Sequence, residues 1–168
     1  VEPEYAGLFD FSDINALNPT LKVPALAEVF TATLRLNVGD VFDDIQLTVE
    51  PSGRPFITRW NAIDGTVLIP TRSSGYTYDY FVDWGDGSPI ERFTGDAEHQ
   101  YADAGEYDVA IFGDFPAIYM FKSRVVENRF KLLSVEQWGD IEWLTMSNAF
   151  VFAENMDLNA KDVPDLSG

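Results

Sequence analysis

The side chains able to do chemistry in this 168-residue chain are mostly carboxylates: 28 Asp and Glu stand against 11 Lys and Arg, one His and no Cys. Without a thiol there is no Cys nucleophile, no disulfide and no Cys-ligated metal. One His cannot build a multi-His zinc site. Carboxylates offer two kinds of chemistry. The first is binding of a hard cation. Ca²⁺ takes about six to eight oxygen ligands, and Asp40, Asp43 and Asp44, with Asp10 and Asp13 upstream, lie in or near turns that could supply them. The stretch Asp83-Trp84-Gly85-Asp86-Gly87 lacks EF-hand spacing. Ca²⁺ is therefore the ion the sequence invites, through Asp40, Asp43 and Asp44, and no cofactor is required. The second is glycoside hydrolysis by paired acids. So many acids make chance pairs inevitable, and no motif singles one out. G-x-S-x-G, Walker A and H-E-x-x-H are all absent from the sequence. The sequence predicts no catalytic residue and no enzyme.

The same arithmetic bounds the partners. A net charge of −17 and a pI near 4.1 repel phosphate backbones, so no nucleic-acid partner is expected. Basic clusters for anionic lipid are lacking. No apolar run approaches the roughly 20 residues of a membrane helix, so no membrane insertion is expected. The 46% hydrophobic and 14% aromatic content exceeds what a disordered chain carries. Among the aromatics, Tyr76, Tyr78 and Tyr80 alternate, which fits half core and half cross-strand pairing. If the chain has an aromatic ligand face for a sugar, those three are the residues that would build it.

Several segments must position these residues. Residues 29–38 and 45–49 alternate apolar and polar side chains, the period of a half-buried strand. The connection at 39–44 is rich in Gly and acids, so the pair reads as a hairpin. Pro51-Ser52-Gly53-Arg54-Pro55 reads as a linker. Short strands are expected at 56–60, 66–70, 76–82, 90–93, 107–112 and 117–121, separated by Gly and Asp turns, the pattern of a β-sandwich. From Leu132 on, apolar residues recur three or four apart, so helix is expected: 134–137 would cap one helix and 146–154 would form another.

The middle of the chain resembles the PKD (polycystic kidney disease) domain family, Ig-like sandwiches common in secreted bacterial proteins. The matching residues are Val82-Asp83-Trp84-Gly85-Asp86-Gly87-Ser88, then His99-Gln100-Tyr101, then Gly105-Glu106-Tyr107-Asp108-Val109, in family order and spacing. The resemblance makes Asp83, Trp84, Gly85, Asp86, Gly87, His99, Tyr101, Gly105 and Tyr107 a structural turn motif. The tail, through 132–141, 146–150 and 160–167, resembles the entry to BspA-type leucine-rich-repeat surface proteins. Residues 18–25, 30–38 and 45–49 resemble the closing strands of a bacterial Ig-like module.

The expected fold is thus mainly β. An antiparallel Ig-like, PKD-like sandwich at 53–126 is preceded by a partial Ig-like segment at 1–52. It is followed by a short α/β repeat-like cap at 127–168, packed on the sandwich. Both ends read as cut from a longer protein. The resemblances imply a non-catalytic module of a secreted bacterial surface protein, acting in adhesion or as a spacer that presents a binding domain. Its partners would be a protein or glycan on a cell or matrix surface, or copies of itself. A self-assembling filament or sheath subunit completed by strand donation is one alternative. A carbohydrate-binding module is the other.

Overall fold

Alternating burial decides most of the strands. The computed structural model describes residues 10–11, 21–22, 30–38, 41–49, 53–72, 74–122 and 127–167. The chain divides into two compact units, Val1–Ser52 and Gly53–Gly168.

In the first unit, strand β1 (Asp10–Phe11) pairs antiparallel with β2 (Leu21–Lys22). Strand β3 (Phe30–Val38) then pairs along its whole length with β4 (Val41–Val49). Arg35 sits directly opposite Asp44 and grips it with both arms of its guanidinium, Nε to Oδ1 at 2.7 Å and Nη2 to Oδ2 at 2.8 Å. The same guanidinium lies 4.2 Å above the Phe42 ring. Strand β4 starts earlier than the sequence pattern predicts, inside the segment read as a turn.

The second unit is mainly β and centres on a six-stranded mixed sheet in the order β12-β11-β5-β10-β7-β8. Strand β5 (Phe56–Ala62) runs antiparallel to β10 (Gly105–Asp114), which runs antiparallel to β7 (Asp79–Asp83), and β7 pairs with β8 (Glu91–Phe93). On the other side β5 pairs with β11 (Leu132–Gln137), and β11 runs parallel to β12 (Asp157–Leu158). Strands β6 (Thr66–Ile69) and β9 (Ala97–Gln100) form a separate two-stranded sheet.

Every second residue of β5 (Phe56, Thr58, Trp60 and Ala62) faces inward. Phe56, Trp60 and Ala62 join Val67, Ile69 and Ala97 of the small sheet, and Val109 and Ile111 of β10, in one apolar cluster that also takes Leu132, Trp138 and Trp143 of the tail. Burial of such side chains contributes about 1.5–3 kcal/mol each. On the outer face of the sheet, Arg59 of β5 grips Asp108 of β10 directly opposite, at 2.7 and 2.9 Å. Arg92 grips Asp79 at 2.7 Å through both of its bonds. Exposed pairs of this kind contribute only about 0–1 kcal/mol each. Their effect is to place the scarce cations opposite specific acids.

Three sequence expectations change. The tail contains no α-helix among its described residues, and 134–137 lies inside β11 rather than capping a helix. The physical reason is in the register: between Leu132 and Ser134, and again between Val135 and Gln137, two residues of β11 oppose one of β5. Each such bulge inserts a residue, so Leu132 and Val135, three apart, both face the core and mimic helical spacing. Residues 146–154 are turns, in which the carbonyls of Met146 and Phe150 receive the amides of Ala149 and Ala153 at 3.1 Å. A single 3₁₀ turn, Asn128–Phe130, is the helical piece among the described residues. Second, 127–168 does not cap the sheet from outside. Its β11 is a strand of the sheet itself, next to β5. Third, 117–121 contributes only a bridge between Ile118 and Thr71.

The 3₁₀ turn ties two segments together, and its Arg129 donates to the carbonyls of Met120 and Lys122. It buries Asn128, whose side-chain amide donates to the carbonyl of Leu68 and accepts its N–H at 3.0 Å, closing the free edge of β6. No helix among the described residues is long and apolar enough to cross a membrane.

Candidate functional site

The three motif pieces converge at one end of the second unit. Strand β7 ends at Asp83, and two side-chain bonds shape the turn after it. Gly85 N–H donates to Asp83 Oδ1 at 2.9 Å, and Ser88 N–H donates to Asp86 Oδ1 at 3.0 Å. Such bonds are how Asp stabilises a turn. Gly85 has a φ of 74°, and a Cβ there would collide with the carbonyl of Asp108 on the neighbouring β10. Only glycine fits.

Trp84 is fully buried and stacks on His99 of β9, with ring centroids 4.8 Å apart and planes within 12°. Its indole N–H donates to Glu91 Oε2 of β8 at 2.9 Å. His99 Nε2 lies 2.9 Å from Asp86 Oδ2. Burial alone would raise the Asp86 carboxyl, but bonds from Ser88 and His99 outweigh it and hold it at about 2. Asp86 is therefore a carboxylate and an acceptor only, so His99 Nε2 is the donor. His99 Nδ1 then faces Glu91 Oε2 at 3.9 Å.

Two tyrosines complete the cluster. Tyr101 meets His99 edge-on at 4.6 Å and stacks on Tyr107 at 3.8 Å. Its hydroxyl donates to the carbonyl of Trp84 at 2.9 Å, and that of Tyr107 donates to the carbonyl of Asp103 at 2.9 Å. Burial first, then the nearby Asp86 charge, pushes the Tyr101 hydroxyl up, so it remains a proton donor. Gly105 opens β10, which carries Tyr107 to this place. The arrangement joins the turn at 83–88 to β8, β9 and β10 through rings and hydrogen bonds. Its chemistry is that of a lock.

Glu91 belongs to this cluster and no motif announces it. The signal available in the sequence is strand pairing, since Glu91 lies opposite Val82, two residues before Trp84. A second polar cluster also has no motif. Arg54 donates to Asp140 through its backbone N–H at 2.8 Å and through Nε at 3.0 Å, and reaches Asp162 Oδ2 at 3.3 Å. Asp162 in turn accepts the N–H groups of Trp138 and Gly139, both at 3.0 Å. The Trp138 N–H, foremost among these partners, holds the Asp162 carboxyl below its ordinary range.

The other candidate residues are dispersed. Tyr78 and Tyr80 are in the core. The Tyr78 hydroxyl donates to the carbonyl of Ala117 and accepts Arg72 N–H, both at 2.8 Å, and the Tyr80 hydroxyl donates to the carbonyl of Gly95 at 2.5 Å. Tyr78 and Tyr80 are buried on either side of a half-buried Asp79, and β7 is buried on both faces from Tyr80 to Val82. Of the three expected ligand-face tyrosines only Tyr76 is partly exposed, and the Arg72 guanidinium lies 5.5 Å from its ring centre. Asp40 lies outside the described residues. Asp43 Oδ1 accepts the N–H of Asp44 at 3.0 Å, and both oxygens of Asp44 are taken by Arg35. Among the described residues no group of three or more His, Asp and Glu is placed to hold a metal ion.

Comparison with known proteins returns no match to this chain among family models, curated proteins or solved structures.

Proposed function

We propose that the chain is a non-catalytic module of a secreted bacterial surface protein, acting in adhesion or as a spacer that presents a binding domain. In this reading the second unit is an Ig-like, PKD-like sandwich, with the six-stranded sheet and the β6–β9 sheet as its two layers. One observation carries the proposal. The residues most suited to chemistry (Asp83, Asp86, Glu91 and His99, with Trp84 and Tyr101) bond to one another and to the backbone of the turn, and Tyr107 stacks on Tyr101 while bonding to the carbonyl of Asp103. Groups used in this way support a scaffold, because Asp and Gly bonds to nearby amides fix the turn and the fully buried Trp84 ring anchors it to the core. Locking the strand ends at a turn is what a module that must transmit position requires.

A second reading, a filament subunit completed by strand donation, draws on the first unit. There β3 and β4 form a two-stranded ribbon with Val41, Phe42 and Ile45 exposed. A lone two-stranded ribbon is marginal in water, and an added strand would cover that surface.

The test takes the whole chain. It is assayed against chromogenic glycoside, ester and peptide substrates, probed on glycan and matrix-protein arrays, and sized by light scattering across concentrations. The proposal expects no turnover and a constant mass. Turnover that disappears in Asp86→Asn or Glu91→Gln would overturn it. Concentration-dependent growth of ordered particles would establish the filament instead.

A further inference from the structure

Three backbone pairings in the tail share one spacing. Ser134 with Asp157, Val135 with Leu158, and Glu142 with Asp165 are parallel partners, and each pair is 23 positions apart. The Asp162 carboxylate receives the N–H of Gly139 at the same separation of 23. Hydrogen bonds from Asn159 and Ala160 to the carbonyl of Val135, at 2.9 and 3.0 Å, and from Trp143 to the carbonyl of Asp165, at 2.9 Å, hold the two stretches in line.

Parallel partners at a constant offset describe a chain that makes a circuit and returns alongside itself. That is the geometry of a solenoid, in which each coil buries its face on the next. Residues 134–156 are one such circuit. Residues 157–166 are the rung that begins a second.

The two rungs differ in burial. Val135 and Trp143 of the first are buried. Their counterparts one period later, Leu158 and Leu166, are 63% and 60% exposed, and Val163 between them is 80% exposed. Strand β12 is also the outermost strand of the sheet, and an outer strand offers a row of backbone groups for pairing. We infer that the rung at 157–166 is a docking edge for a further coil of the same 23-residue period, added parallel to β12 with apolar side chains over Leu158 and Leu166. The constant offset argues for this occupant: a coil that continues the pairing of 134–142 with 157–165 runs parallel and in the same register, and a slip of one residue would turn its apolar side chains away from Leu158 and Leu166. The inference rests on the pairing geometry and stands or falls apart from the surface-protein proposal.

The test extends the full chain by a copy of its own residues 146–167 fused directly after Gly168, which sets each copied residue 23 positions from its original. A control extension omits one residue at the junction. Amide hydrogen exchange is read at Asp157, Leu158 and Asp165. The in-register extension is expected to slow exchange there at least tenfold and to raise the melting midpoint, and the control to leave both as in the parent. Leu158→Lys with Leu166→Lys in the extended chain is expected to restore parental exchange without lowering the parental midpoint, since both side chains are exposed. Equal protection in the two extensions, or none in either, would overturn the inference. A parent chain that dimerises at micromolar concentration with these amides already protected would also overturn it, by assigning the edge to a second copy.

Discussion

Gly85 and Gly87 stand two residues apart in one turn, with φ of 74° and 81°. Local conformation therefore predicts similar penalties for alanine at either position, about 1–2 kcal/mol for a left-handed non-glycine residue. The tertiary structure separates them. A Cβ on Gly87 meets nothing within 4 Å, whereas one on Gly85 collides with the Asp108 carbonyl of β10. Asp108 is held by its ladder pairing with Arg59 and by the bidentate bond from that guanidinium, so the strand cannot yield cheaply. Forced overpacking costs a further 1–3 kcal/mol or so. Gly85→Ala should thus lose about 2–5 kcal/mol and Gly87→Ala about 1–2 kcal/mol. Urea titration followed by tryptophan fluorescence, with Trp84 adjacent to the change, measures both. With a slope of about 1–3 kcal/mol per molar urea, the two midpoints should differ by roughly 1 M with slopes unchanged. Coincident midpoints, or a larger loss for Gly87→Ala, would refute the claim that β10 closes on this turn.

Stability should fall in acid through Asp86. Its folded carboxyl is held at about 2, below an unfolded value of about 4, so its contribution is complete above pH 4 and is lost as pH falls toward 2. Melting curves across that window should show a shallower acid slope for Asp86→Asn than for the parent. Asn128→Leu strips both partners from the buried Leu68 backbone, at about 1–3 kcal/mol for each orphaned group, and urea midpoints should drop accordingly. Asp162→Ala removes the acceptor of Trp138 and Gly139. Hydrogen bonds to charged groups contribute about 1.5–3 kcal/mol, so exchange at those two amides should quicken roughly tenfold or more, while amides of β10 keep their parental rates. Among the described residues the buried Trp143 indole N–H has no hydrogen-bond partner, so Trp143→Phe should cost less in thermal midpoint than Trp60→Phe, which also strands Thr58 Oγ1.

The strands of the second unit were legible because Phe56, Thr58, Trp60 and Ala62 alternate inward with a period of two. The turn was legible because its Asp and Gly residues act locally, through bonds to amides two positions away. Tyr78 and Tyr80 were ambiguous for a definite reason. Alternation marks one face of a strand, but β7 is covered on both faces, and whether a second layer lies over a strand is not a local property. The tail misled more fully. Bulges on β11 gave a three-residue spacing to side chains that lie in a sheet, and register against β5 is decided by a partner more than 70 positions away. Glu91 meets Trp84 only through the register of the β7–β8 pairing, and the Arg54–Asp140–Asp162 cluster carries no motif because its members meet only when distant segments come together.

By itself the sequence determined the class of structure and the chemistry open to it. Absent thiols, a single histidine and a charge of −17 follow from composition, and hydrophobic periodicity and turn residues act within a few positions along the chain. Tertiary structure alone decided which acids are committed to which cations, why Gly85 admits no side chain, and that the tail returns alongside itself once, at an offset of 23 residues. Those features depend on pairing between segments far apart in sequence. Pairing is set by the burial of whole faces, which no local pattern encodes.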